Sequence, residues 1–313
     1  MGVERWCHDR SLRDRRRYPP EAGLSPEAGL SIAASICPDC ATELPEVTRR
    51  LLVVKHLEDV GMAPIDFEIW LNHFEHHSAN ARCVPPGLTA RLTPEDRRHI
   101  ASSIATFQLG EQSEGLGLRK AARRFASARS IPAIERIFEL LIREEQRHAA
   151  LLLDYMQEQQ IARKRTDWTD RLFRRLRRLA GLELYLQVLI CAELVGIVYT
   201  RALEAATACP RLKALCRILV SDELAHVGFE SQLLRSLQAG RPAALRALLR
   251  WTDRAFFVGT ASVVCWTHRA LLRHAGSSAR SFLRACLSQH AFYLDPVTAS
   301  LANPLHQPSR GRA

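Results

Sequence analysis

One acidic pattern occurs twice in this chain and constrains its fold more than any other feature. A Glu on an apolar helix is followed by Glu-x-x-His, 34 residues later in one half (111 to 145) and 30 in the other (193 to 223). The first half holds Glu111 in FQLGEQSEG, then Glu145 and His148 in IREEQRHAALL. The second holds Glu193 in LICAELVGIVY, then Glu223 and His226 in LVSDELAHVGF. Helical periodicity places residues i, i+3, i+4 and i+7 on one face. Leu141, Glu145, His148 and Leu152 therefore share a stripe, as do Leu219, Glu223, His226 and Leu233, and Leu186, Leu189, Glu193 and Ile197. A fourth stripe runs through Ile104, Phe107, Glu111, Glu114 and Leu118. It offers two acids one turn apart, of which Glu111 is preferred, with Glu114 as the alternative or as a supporting carboxylate. Each stripe is apolar except at its middle, so the acids turn inward together.

Four ionised carboxylates in a dry interior carry a prohibitive desolvation cost unless something compensates them. Two divalent cations do so, with four Glu balancing the charge and two neutral imidazoles completing the shells. This arrangement is the ligand pattern of a carboxylate-bridged two-metal centre in a four-helix bundle. A carboxylate and imidazole donor set suits iron, manganese or a mixed Mn/Fe pair, and differs from thiolate-rich zinc. Each Glu-x-x-His is also preceded by an acid, Glu144 or Asp222. Metal-binding histidines donate their second ring N–H to such groups, so Glu144 is expected to orient His226, and Asp222 to orient His148. Glu230 reads as a polar neighbour or surface residue, His73, His76 and His77 as a solvated helix end, and Tyr155 as core packing or a pocket wall.

No stretch shows sustained period-two alternation, so the chain is expected to be all-α. Residues 1–41, with the run Arg13 to Arg17 and several prolines, read as a poorly ordered basic segment. Residues 42–92 read as a short helical extension, with one helix from about Glu43 to Asp59 and another after Pro64. The main bundle spans 93–240. Its first helix starts at the Thr93-Pro94 cap and runs to about Ser127, and its second runs from Pro132 to about Ala162. Its third runs from Thr169 to Ala208, and its fourth from Pro210 to Gly240. A helical pair over 241–295 and a tail over 296–313 complete the chain.

The net charge of +11 comes almost wholly from arginine. Arg171, Arg174, Arg175 and Arg178 share one helical face, which reads as a solvated surface or as a stripe for phosphate groups of RNA or an acidic carrier protein. Nine scattered cysteines argue against a disulfide framework. Cys37 and Cys40 form the only C-x-x-C, whereas a zinc or rubredoxin-type site needs a second pair, for which only Cys7 or Cys83 is at hand. No secretory leader is visible, and the longest apolar run noted, Ala255 to Trp266, is too short to span a bilayer. A cytoplasmic location with no membrane contact is the default expectation, with a homodimer as one oligomeric option.

Over residues 94–240 these motifs resemble the ferritin-like di-iron carboxylate superfamily. Gly110-Glu111 is similar to the first ligand helix of rubrerythrin, and Glu144-Glu145-Gln146-Arg147-His148 to the corresponding phrase of bacterial multicomponent monooxygenases. Asp222-Glu223-Leu224-Ala225-His226 matches that phrase except for Ala225, where Arg is common. The resemblance implies a bundle with additional N- and C-terminal helices, holding two irons that react with dioxygen or peroxide. Three relatives fit poorly. Storage ferritins are little more than the bundle, rubrerythrin peroxidases carry two C-x-x-C pairs, and arylamine N-oxygenases have a His where this chain has Leu219. The expected activity is O₂-dependent oxidation of a small organic substrate. Electrons come from an external donor, because no nucleotide-binding glycine loop is visible. The alternatives are a hydroxylase acting on RNA or a carrier-bound substrate, and a ferroxidase, peroxide-scavenging or non-catalytic protein.

Overall fold

The computed structural model describes residues 65–88, 91–112, 115–168 and 181–294. Outside them lie the expected basic segment 1–41, the helix over 43–59, Cys37 and Cys40, Glu114, the Arg171, Arg174, Arg175 and Arg178 stripe, and the tail 296–313. Among the described residues the chain is all-helical, with no strand.

The helices follow in chain order: α1 Phe67–Ala79, α2 Pro94–Glu111, α3 Leu116–Arg129, α4 Pro132–Glu158, α5 Leu182–Ala205, α6 Pro210–Gln238, α7 Ala243–Thr267, α8 Arg269–His274 and α9 Ala279–Leu294. Their starts follow local chemistry. Asp66 caps α1 by accepting from the N–H groups of Glu68 and Ile69, and Thr93 caps α2 by accepting from that of Asp96. Pro94, Pro132 and Pro210 occupy first-turn positions, where the missing N–H costs nothing. α5 and α6 form the most extensive pair, α4 packs against α1, α2 and α3, and α4 also meets α6. The core they enclose includes Ile104, Phe138, Leu141, Leu186, Leu194, Ile197, Leu219 and Phe229, each under 2% exposed. The C-terminal helices α7 and α9 pack together and against α5.

Three expected helices differ from those observed. The first does not run to Ser127: α2 ends at Glu111 and the chain restarts at α3. Gly115, the residue just before α3, takes φ +63, and Ile142 side-chain atoms stand 2.7 Å from where a Cβ would be. Glu111 and Leu118 therefore lie on different helices. The third helix is not continuous from Thr169, because Gly181 is extended and α5 begins at Leu182. The helix opened by Pro242 is interrupted at His268, so two C-terminal helices become three. Gly115→Ala combines a left-handed backbone with a clash, and is expected to cost about 2 kcal/mol or more in denaturant unfolding. A neutral result would mean that this junction is loosely packed.

Ala255 to Trp266 is not the most membrane-like stretch. α5 is long and apolar enough to cross a bilayer by length and composition, but most of it is buried inside the protein. Its apolarity has a local explanation, since it contacts α6, α7, α8, α9 and α3. A helix surrounded in this way is hydrophobic all round.

Candidate metal centre

Four helices each deliver part of one acidic cluster: α2 brings Glu111, α4 brings Glu145 and His148, α5 brings Glu193, and α6 brings Glu223 and His226. Two groups of four result. Glu111, Glu145, His148 and Glu223 offer ligand atoms within 4.8 Å of one another, as do Glu145, Glu193, Glu223 and His226. We call these position 1 and position 2. Glu145 and Glu223 belong to both, so the two positions are adjacent and share two carboxylates. Position 1 adds Glu111 and His148, and position 2 adds Glu193 and His226.

The donor atoms are those a cation would satisfy. Among the described residues, buried atoms without a hydrogen bond include Glu111 Oε2, Glu145 Oε1, both oxygens of Glu193, Glu223 Oε2, and Nδ1 of His148 and His226. Buried polar groups ordinarily find partners; the nearest groups to these atoms are other members of the same cluster, such as Glu223 Oε1 3.2 Å from His148 Nδ1 and Glu145 Oε1 3.1 Å from His226 Nδ1. A metal ion held among them would satisfy all seven, and an oxygen and nitrogen donor set of this kind suits iron or manganese.

Electrostatics without a cation show the same demand. Burial is the largest influence on Glu111, and with neighbouring Glu145 and Glu223 it holds that carboxyl well above the usual range. Burial likewise raises Glu193, helped by Glu230 and Glu223. Burial opposes charging His148, but contacts to Asp222 and Glu223 outweigh it and raise the imidazole well above its ordinary value. The same holds for His226 among Glu144, Glu145 and Glu223. Glu223 also resists burial, because His148 and His226 pull it down to about 2. Protons thus occupy the cluster where cations would otherwise neutralise it.

Behind the two imidazoles lies a second polar layer. His148 Nε2 lies 3.0 Å from Asp222 Oδ2, and His226 Nε2 lies 3.0 Å from Glu144 Oε2. Each acid thus reaches across from α4 to α6 or back, leaving each Nδ1 to face the centre. Arg147 Nη2 donates to both acids, at 2.9 Å to Glu144 and 2.6 Å to Asp222, while its Nη1 donates to the Arg82 carbonyl at 2.8 Å. His77 spans the same pair, with Nδ1 2.6 Å from Glu144 and Nε2 3.3 Å from Asp222. His77, Glu144 and Asp222 could hold a cation by spacing alone. The Arg147 guanidinium already fills that role.

Two expectations about this region are corrected. His73 and His77 do not form a solvated helix end: His73 is buried, with its pKa lowered to about 4 chiefly by burial, and His77 contacts both acids. Their four-residue spacing, on the same side of α1 as Trp70 and Phe74, was the available signal. Phe74 in turn packs against the His226 ring, with centroids 6.0 Å apart. Glu230 is not a surface residue either, since it is fully buried. Tyr155 is buried in the core and does not line the cavity described next.

A cavity of about 200 Å³ adjoins the cluster and is lined by Glu111, Glu145, Glu193 and Glu223. Its other walls are mainly apolar, with Phe107, Leu118, Leu141 and Leu189 among them. Tyr199 and His268 also line it and are tied through Ser103, whose Oγ lies 2.9 Å from the Tyr199 hydroxyl and 2.6 Å from His268 Nδ1. Burial, followed by the charge of Lys164, lowers the His268 pKa to about 4, so this imidazole is neutral near pH 7. Comparison with family models, curated proteins and solved structures yields no match to this chain.

Proposed function

We propose that the chain is a ferritin-like four-helix-bundle protein with added terminal helices. In this reading it holds two iron ions and uses O₂ to oxidise a small, mostly apolar organic molecule. The observation that carries the proposal is the pair of ligand groups sharing Glu145 and Glu223 and opening onto an apolar cavity. Manganese or a mixed Mn/Fe pair would fit the same donors. Iron at both positions would supply the electrons that O₂ must receive, and further turnover needs an external reductant.

The chain's own residues explain the rest of the design. Glu145 and Glu223 hold the two positions at a fixed separation, and Glu111, Glu193, His148 and His226 complete each one. Arg147, Glu144, Asp222 and His77 keep the imidazole Nδ1 atoms aimed inward, with the Arg147 cation set between the two acids. Phe107, Leu118, Leu141 and Leu189 exclude water from the reacting face, which strengthens electrostatic interactions inside. At the polar wall, Tyr199 and neutral His268 suit a substrate with an uncharged hydrogen-bonding group.

Anaerobic loading with Fe²⁺, followed by metal counting and O₂ addition, tests this reading. Two irons per chain are expected, with O₂ uptake that accompanies oxidation of members of a panel of small apolar compounds. O₂ uptake coupled to iron oxidation alone, across the whole panel, would favour a ferroxidase role instead. A cavity variant separates substrate binding from metal binding. Gly196 lines the cavity, and a Cβ added there meets no atom within 4 Å. Gly196→Leu is therefore expected to leave two irons bound while weakening substrate use by about tenfold or more, the scale of losing one or two good packing contacts. Unchanged KM and kcat would place the substrate elsewhere.

A further inference from the structure

Glu230 is buried in a way that the six-residue metal centre does not explain. It lies seven residues after Glu223 and four after His226, on the stripe of α6 that faces the centre. It is 0% exposed, and neither carboxyl oxygen has a hydrogen-bond partner among the described residues. Its carboxyl stands within hydrogen-bonding reach of that of Glu193, whose two oxygens are also without a donor. The other charges acting on it belong to the centre itself: His226, Glu145 and Glu223.

Other buried acids outside the six-residue set are served differently. Glu144 and Asp222 meet Arg147 and His77, Asp96 accepts from Thr207 and contacts His274, and Asp253 contacts His290. Glu230 has no such donor among the described residues, and the carboxyl within its reach is that of another acid, Glu193. An isolated carboxylate buried without a donor or cation is one of the costliest features a core can carry. Position 2 is the cation site closest in kind.

We propose that Glu230 is a seventh metal-binding side chain, serving position 2 together with Glu193 and His226. It is not among the four residues whose ligand atoms already lie within 4.8 Å of one another. It therefore reaches the metal by rotating its side chain alongside Glu193. The two positions then differ: position 1 has one carboxylate of its own, and position 2 has two. Five carboxylates against two divalent cations leave one surplus negative charge, which favours a more highly charged ion at position 2. The ligand class is thus a hard divalent or trivalent cation, held more tightly at position 2 than at position 1. This inference rests on the two-metal reading given above.

The test is anaerobic titration of the full chain with Mn²⁺ against a competing chelator, comparing wild type with Glu230→Gln and Glu230→Leu, alongside metal-free melting curves. Wild type is expected to bind two Mn²⁺ with separable affinities. Both variants should weaken the tighter step by about tenfold or more, the loss typical when a supporting group of a metal site is removed, and should leave the other step unchanged. Their metal-free melting temperatures should equal or exceed that of wild type, because an unpaired buried acid has been removed. Two bound ions with wild-type affinities in both variants would overturn the assignment of Glu230 while sparing the two-metal reading. A variant that melts well below wild type without metal would show a structural role and would also overturn it. A wild-type chain that binds no Mn²⁺ and no Fe²⁺ would remove the two-metal reading and this inference together.

Discussion

Neutralising the two shared carboxylates is expected to empty both positions at once. Glu145 and Glu223 are the only residues common to the two ligand groups, so a Glu145→Gln/Glu223→Gln variant takes two donors from each position. Glu111→Gln and Glu193→Gln take one donor from position 1 or position 2 alone. The double variant should fall from two metals per chain to near none, with affinity losses well beyond the 10–100-fold seen when only supporting groups are removed. Each single variant should retain about one metal. Inductively coupled plasma analysis of anaerobically loaded, desalted protein reads all three. Two metals retained by the double variant would mean that the cluster does not bind through these oxygens.

A second large effect concerns pH and stability. Without metal, Glu111 and Glu193 have raised pKa values, so the stability they contribute is fully present below their unfolded value of 4.5 and is lost as pH rises through their folded values. His148 and His226 are also raised, and their contribution is present below 6.5 and lost above it. Glu144 and Glu223 run the other way. Burial opposes their ionisation, but histidine contacts outweigh it, so their contribution is present above 4.5 and lost as pH falls. The cluster's contribution to metal-free stability therefore peaks near pH 4.5 to 5 and declines towards pH 8.

Metal binding displaces those protons, so affinity should rise steeply over the same interval. At about a thousandfold excess over Kd, each bound ion adds about 4 kcal/mol, which for a chain of this size is a shift on the order of 10 °C. Differential scanning fluorimetry at pH 5 and pH 8, with and without Mn²⁺, should show a metal-free melting temperature that falls with pH and a metal-induced shift that grows with it. A shift independent of pH would mean that protons and metal do not compete for these side chains.

Much of this was legible in the sequence because a functional constraint had been written onto helical periodicity. Acids in the middle of apolar stripes had few explanations, and the repeated Glu-x-x-His limited them further. What escaped was of three kinds. Gly115 opens a new helix, α3, with a positive φ, which a continuous apolar pattern conceals. Helix α1 read as a peripheral extension, because nothing local reveals that His77 meets Glu144 and Asp222, 67 and 145 positions further along the chain. Glu230 read as a polar neighbour or a surface residue, and its heptad distance from Glu223, which places it on the inward stripe, was the signal for the first of these. The extent of α5 burial was missed, since beyond the adjoining α6 it is also surrounded by α3, α7, α8 and α9.

Anomalous diffraction from crystals of the Mn²⁺-loaded chain tests the two-metal reading most directly. The expected result is two adjacent peaks, one among Glu111, Glu145, His148 and Glu223, and the other among Glu145, Glu193, Glu223 and His226. A lone peak at His77, Glu144 and Asp222, or no peak within the helical core, would contradict it.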